Sequence, residues 1–530
     1  MNLGASLILT NGKIYPRVTE LRTCSGLLLL DGRVADILDG PAHTSLAGIP
    51  TVDLGGRVVL PGLTDAHLHL EKYALQLSLV DCETATLDEC LERVQARATR
   101  VPPGEWILGH GWNQTRWERF GRAADLDAVA PGHPVYLTAK SLHAGWANSE
   151  ALRRAGLATE TPDPEGGRVQ RAEDGAPTGI LFEGAMSIVA NALPEPLLTD
   201  TVEAMATAQE RLWAMGITGV HDFDGRRSFQ AEQVLLEQGR LGLRVLKSIP
   251  YELLGEAAAL GLRSGFGAER LRLGHVKLFA DGALGPRTAA MLAPYDGEPG
   301  NTGLLFLDRE AVLEAGIRAA EAGLALAIHA IGDRANHEVL DGLAALRAYE
   351  TSHGWPARRH RIEHLQLVHP DDLPRPAQLG VTASMQPIHA TSDMLMADRY
   401  WGRRTEFSYA WRSQIRSGAH LAFGSDAPVE SPDPFLGLHA AVTRRRTDGT
   451  PSPQGWVPQE RLDIQQALMG FTEGAAFAAG AELEQGRLQP GYRADLIVVD
   501  RDPMACPPDD LPQVRVLGTM VGGRWVRREF

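Results

Sequence analysis

The stretch PGLTDAHLHLEKY, residues 61–73, sets His67 and His69 one residue apart. Residues i and i+2 of a strand share a face, so two imidazoles at this spacing can converge on one cation. With 17 histidines in 530 residues, chance alone supplies about half of one His-x-His pair, so the pair carries weight only in company. That company stands far downstream, each member at the end of an apolar run: Lys277 in RLGHVKLFADG, His329 in LALAIHAIG, His364 in HRIEHLQLV and Asp426 in HLAFGSDAP. Neutral imidazoles and a carboxylate suit Zn2+ or another divalent first-row ion. If the intervening chain did not gather them, His67 and His69 would be a structural pair and Lys277 a salt-bridge partner.

The elements that must do the gathering are legible as alternating patterns. Eight short apolar runs follow one another: GRVVLPGLTD, GITGVHDF, LRVLKSIP, RLGHVKLFADG, LALAIHAIG, HRIEHLQLV, GVTASMQP and HLAFGSDAP. Stretches of helical spacing such as REAVLEAGIRAAEAG and ANHEVLDGLAALRAYE lie between most of them. Strand and helix in alternation imply a parallel sheet, and eight units predict an α/β fold, a (β/α)8 TIM barrel, with the candidate ligands at the strand ends of one mouth. About 150 residues separate the first run from the second, more than a crossover helix requires, so residues 71–210 read as a large insertion near that mouth, a lid or substrate wall. SLILTNGKIY, GLLLLDGRVADIL and GTMVGGRWVRRE carry the Asn-Gly, Asp-Gly and Gly-Gly signals of hairpins, and DLIVVD adds a strand. A small β-sandwich-like domain built from both termini follows, residues 1–58 and 482–530, with the barrel spanning 59–481.

Composition narrows the function classes. The chain is 44% hydrophobic with 56 glycines and 33 prolines, ample material for a packed core. Its formal charge of −14 repels phosphate backbones and anionic lipid, excluding nucleic acid and membrane surfaces as expected partners and leaving a small-molecule substrate. Four cysteines without a C-x-x-C, and an N-terminus without a basic leader or long apolar segment, point to the cytoplasm. Neither G-x-G-x-x-G, a Walker loop nor a Gly-x-Ser-x-Gly elbow competes for the chemistry.

PGLTDAHLHL, HVKLFADGALGPRTA, LAIHAIGDRA, HRIEHLQ, SMQPIHAT and GSDAPVE, in this order, resemble the amidohydrolase superfamily, in particular its branch of metal-dependent hydrolases that includes N-substituted formamide deformylase. The resemblance covers nearly the whole chain. It implies that His67, His69 and Asp426 hold the more buried of two metals, that His329 and His364 hold the other, and that Lys277, carbamylated by CO2, bridges them. DGALGPRTA departs from the branch's DGSLGSRTA at Ala283 and Pro286, which puts serine-mediated loop contacts in doubt. The chemistry implied is hydrolysis of an amide, formamide or cyclic amide C–N bond by a metal-activated hydroxide, with Asp426 shuttling the proton. Relatives are often dimers, so a homodimer is the assembly to expect.

Two other functions stay open: a deaminase with one metal, which Lys277 opposes, and a binding or regulatory protein without turnover. Around the centre, His143 and His389 match pocket positions of the branch and contact substrate or cap loops. The insertion's tryptophans, Trp112 among them, line an apolar pocket or pack; Arg287 recognises an anionic group or anchors its loop. His275 and His360 read as structural, and His221 as either a support for the centre or core.

Overall fold

The computed structural model describes residues 6–39, 48–113, 117, 119–140, 144–164 and 166–530. Two compact units divide the chain: residues 1–73 with 201–530, and residues 74–200.

The first unit is organised by an eight-stranded sheet whose neighbouring strands are all parallel. In chain order the barrel strands are Leu63–Leu68, Ile217–Asp222, Arg244–Pro250, Leu271–Phe279, Ala325–Ala330, Arg361–His364, Thr382–Met385 and Leu421–Phe423. Each of the eight expected runs supplies one of them, and the fold is the (β/α)8 barrel. Alternation decides which residues face inward. On strand 4, Val276 and Leu278 join the outer core with Val312, Leu340 and Leu343, which helices Arg309–Glu321 and Asp333–Ser352 lay over the strands. Asp308 caps the first of these helices by accepting from the backbone N–H of Ala311.

No ladder joins strand 8 to strand 1, so the seam is closed by specific bonds instead. The Asp426 N–H donates to the His67 carbonyl at 2.7 Å, and the His69 N–H to the Ala427 carbonyl at 2.8 Å. Below them the buried Asp65 carboxylate accepts from the Ser425 hydroxyl at 2.5 Å and from the backbone N–H of Ser425 and of His67, each at 3.0 Å. His67, His69 and Asp426 thus flank the barrel's one non-ladder junction.

Both termini build the sandwich. One sheet orders Arg33–Leu38, Gly26–Leu30, Leu7–Thr10 and Thr51–Asp53; the other Lys13–Ile14, Val58–Pro61, Leu496–Val499, Val516–Val521 and Arg524–Arg528. Leu9, Leu27, Leu29, Val59, Leu496 and Met520 form their shared core. Arg244 at the start of barrel strand 3 makes two bonds to Asp495, Nε to Oδ2 at 2.6 Å and Nη2 to Oδ1 at 2.8 Å, tying this domain to the barrel.

Two expectations need correction. SLILTNGKIY is not a hairpin: Leu7–Thr10 pairs with Gly26–Leu30 and Thr51–Asp53, while Lys13–Ile14 pairs with Val58–Pro61. Asn11 does adopt a left-handed φ of 54°, but its amide bonds Asp53 and the turn passes the chain from one sheet to the other. GRVVLPGLTD is two strands, because Pro61-Gly62 carries the chain from the sandwich into the barrel. At Gly62 a Cβ would lie 2.4 Å from the Thr218 hydroxyl, so only glycine fits that crossing. The Asp-Gly and Gly-Gly hairpins form as expected, with Asp31, Gly32, Gly522 and Gly523 all at positive φ.

The second unit holds a six-stranded mixed sheet ordered Gly167–Arg171, Pro177–Glu183, Ala144–Ala147, Val135–Ala139, Ile107–Trp112 and Val80–Asp81. Trp112, Trp117 and Trp146 cluster in its core at ring separations of 6.0 to 6.4 Å. Among the described residues, no helix is long and apolar enough to cross a membrane.

Candidate metal centre

Each candidate ligand sits at the C-terminal end of its strand, and the barrel brings the strand ends together. His67 Nε2 and His69 Nε2 both lie 3.5 Å from Asp426 Oδ1. The His67 and His364 rings are 5.0 Å apart and the His364 and His329 rings 4.5 Å. His67, His69 and Asp426 form one compact group of donors, and His364, His389 and Asp426 a second. The second group contains His389 where the sequence reading set His329; His389 Nε2 is 3.3 Å from Asp426 Oδ2.

The far side of each imidazole is fixed by a partner, which orients the ring and selects its tautomer. His67 Nδ1–H donates to Glu363 at 2.6 Å and His69 Nδ1–H to Asp224 at 3.0 Å. His364 Nδ1–H donates to the Gln386 carbonyl oxygen at 2.9 Å, and His329 Nε2–H to the Gly282 carbonyl at 2.9 Å. His67 and His364 therefore turn a lone pair on Nε2, and His329 one on Nδ1, away from the bonded partner, while His69 offers its Nε2 lone pair on releasing the proton that faces Asp426. In a regular strand Glu363 and His364 would face opposite sides of the sheet. His364 at φ 74° and Leu365 at φ 43° break that alternation, so strand 6 delivers one residue beneath the site and the next into it.

Lys277 is 5% exposed, and its Nζ has no hydrogen-bond partner. Its neighbours are the faces of Phe223 and Phe279, at 4.9 and 4.8 Å. Burial pushes its pKa down to about 8. Burial likewise lowers His67 to about 4 and His329 to about 3, so both are neutral ligands at pH 7. Burial works against a charge on His69 too, but its bonds to Asp224 and Asp426 outweigh it and raise the pKa to about 9. Asp426 is raised by burial yet held well below the usual carboxylate range by His389 and His69. The donor set is four imidazoles, a carboxylate and an orphaned amine, which fits a divalent cation.

A model of the amidohydrolase family matches residues 50–527. The chain belongs to the amidohydrolase family. It is 30% identical over 539 residues to N-substituted formamide deformylase of Arthrobacter pascens, covering 98% of this chain and 97% of that protein. It is 32% identical to the Arabidopsis thaliana protein LONG AFTER FAR-RED 3 over 538 residues, 98% of this chain and 91% of that one. The crystal structure of an uncharacterized metal-dependent hydrolase from Pyrococcus furiosus superposes with a TM-score of 0.79 at 31% identity, covering 94% of this chain and all of the other. As an amidohydrolase family member the chain is a hydrolase, and a divalent metal is the cofactor its family implies.

The remaining expected site residues divide. His389 reaches the centre. Arg287 is an anchor: it pairs with Glu298, lies 5.3 Å from the Tyr400 ring and holds its loop at φ 57°. Trp112 is 1% exposed, with its indole N–H donating to the Leu137 carbonyl, so its ring is committed to packing in the second unit. His143 lies outside the described residues. His275 donates Nε2–H to the Arg359 carbonyl, and His360 accepts from the Leu326 N–H, both structural roles. Sequence reasoning missed Asp65, Asp224, Glu363 and Gln386. Asp224 and Glu363 had a signal available, since each is a carboxylate at a strand end of the same mouth.

Proposed function

We propose that this family member hydrolyses the C–N bond of a small, neutral amide, formamide or cyclic amide bearing an apolar substituent, using zinc held by His67, His69, His329, His364 and Asp426. The observation that carries the reading is the orphaned Lys277 amine beside this donor set. An amine buried without an acceptor is costly, and addition of CO2 to the neutral amine, with release of one proton, would give a carbamate whose single negative charge is shared by two oxygens able to meet cations. Its lowered pKa favours the neutral amine that such a reaction needs.

Bound there, a divalent ion supplies Lewis acidity, lowering the pKa of water and polarising a carbonyl. The side chains do the rest. Asp426, ionised at neutral pH, accepts a proton from the attacking water and returns it to the departing nitrogen. Its φ of 61° and its seam bond to the His67 carbonyl aim the carboxylate between His69 and His389. His389, whose pKa the Asp426 carboxylate raises against the effect of burial, is a donor for the developing oxyanion. Beside these groups Phe279 and Val429 are each more than half exposed. Phe279 stands 5.3 Å from the His329 ring, and Val429 donates its N–H to the Asp426 carbonyl. Apolar surface this close to the ligands suits a hydrophobic substituent.

A mononuclear centre is the second reading, favoured by the sharing of Asp426 between both compact donor groups. Hydrolysis screens of N-alkyl and N-aryl formamides, lactams and esters with zinc-loaded protein test the function. Faster cleavage of apolar amides supports it; unreacted tight binding without turnover would favour a regulatory protein. The four cysteines are all unpaired thiols, compatible with the cytoplasm as the proposed location.

A further inference from the structure

Beneath His67 the barrel holds a charged pair that the chemistry above does not use. Glu363 and Arg361, two apart on strand 6, are both 0% exposed. Arg361 Nε donates to Glu363 Oε1, and Nη2 to Glu363 Oε2 at 3.1 Å. The same guanidinium reaches the Ala66 carbonyl on strand 1 at 2.7 Å, the Ser384 hydroxyl on strand 7 at 2.6 Å, and His221 Nδ1 on strand 2 at 2.8 Å. The Glu363 carboxylate is thereby referenced to four strands, and its Oε2 receives the Nδ1–H of His67. Phe223 stacks on the His67 ring at 4.0 Å and 14°, removing the remaining freedom of rotation.

We propose that Glu363 and Arg361 are positioning residues for the metal centre: Glu363, held in place by Arg361, locks His67 in its Nδ1–H tautomer and raises the basicity of the Nε2 that faces Asp426. The proposal rests on the metal-centre reading above. A buried ion pair is a poor device for stability alone, since apolar residues of similar volume usually do as well or better. A carboxylate behind a metal-binding histidine, in contrast, tunes both ring orientation and affinity. His221 then acts as the acceptor that completes Arg361. Its Nδ1 must be unprotonated to do so, in keeping with a pKa that burial and Arg361 hold well below the ordinary value.

The test is zinc affinity of the full chain by competition with a chromophoric chelator, alongside thermal unfolding of the metal-free protein. Glu363→Gln keeps the volume and an oxygen for Arg361. Combining it with Arg361→Met removes both charges together, so that no buried charge is left unpaired if the single variant unfolds. The expected result is a folded variant whose zinc dissociation constant rises by about 10- to 100-fold. Wild-type affinity in a folded variant overturns the proposal while leaving the metal centre standing. A wild-type chain that takes up no zinc overturns both.

Discussion

Gly424 directly follows barrel strand 8, where that strand meets strand 1 across the seam. A Cβ there would lie 2.4 Å from the backbone nitrogen of His67, 2.7 Å from Asp65 Oδ1 and 2.9 Å from His67 Cβ. Ordinary contact begins near 3.4 Å, and the nearest obstacle is backbone, so in Gly424→Ala the two chain segments must part by about 1 Å. Overpacking of this kind costs about 1–3 kcal/mol. The same displacement separates His67 and His69 from Asp426, whose donor atoms stand 3.5 Å apart across the seam. Metal affinity should therefore fall by about 10- to 100-fold, together with a lower melting temperature. Gly255→Ala is the control: nothing lies within 4 Å of its Cβ, it sits in helix Leu254–Ala259, and the change should be neutral or stabilising by up to about 1 kcal/mol. Chelator competition and thermal unfolding read both variants. Unchanged affinity and melting in Gly424→Ala would refute the idea that the seam sets the ligand spacing.

Asp426→Asn should keep the fold and largely abolish turnover on any amide that the wild type cleaves, and near-normal kcat would contradict its proton-shuttle role. Asp495→Asn should cost about 3 kcal/mol at pH 7, measured by denaturant unfolding, by leaving buried Arg244 with only the half-exposed Glu269 at 3.1 Å to balance its charge. Burial pushes the Asp495 pKa up but Arg244 outweighs it, so the folded value lies below the unfolded one. That contribution is thus complete above pH about 4 and lost as the pH falls through the folded value. The wild type should accordingly lose stability on acidification more steeply than Asp495→Asn; parallel curves would count against the pair. Phe279→Ser should raise KM for N-aryl amides more than for formamide itself, and equal effects on both would remove the apolar rim from substrate recognition.

The barrel was legible because its strands are apolar runs and its helices carry 3.6-residue spacing, signals that survive without tertiary knowledge. The ends of those strands named His67, His69, Lys277, His329, His364 and Asp426; His67, His69, His364 and Asp426 enter compact donor groups, and the His329 ring lies 4.5 Å from that of His364. What the sequence concealed depends on breaks in regularity. Alternation assigns Glu363 and His364 to opposite faces, and only the left-handed backbone at His364 shows that both serve the site. The seam is similar: Asp65 closes the run GRVVLPGLTD with nothing in the sequence to name its partner, yet it is buried and bonded to Ser425 across 360 residues of chain. Asn11-Gly12 carries a genuine left-handed turn, but a turn signal does not say which strand receives the chain next. Trp112 shows the limit of residue type as a guide, since a tryptophan fills a core as readily as it lines a pocket.

The central claim is that the strand-end histidines and Asp426 hold a divalent ion at the barrel mouth. Crystals of the zinc-loaded chain, measured at the zinc absorption edge, address it most directly. The account predicts an anomalous peak about 2.0–2.1 Å from His67 Nε2 and His69 Nε2 and bonded to Asp426, with a second beside His364 if Lys277 is carbamylated. Zinc bound only elsewhere, or no peak at all, would contradict it.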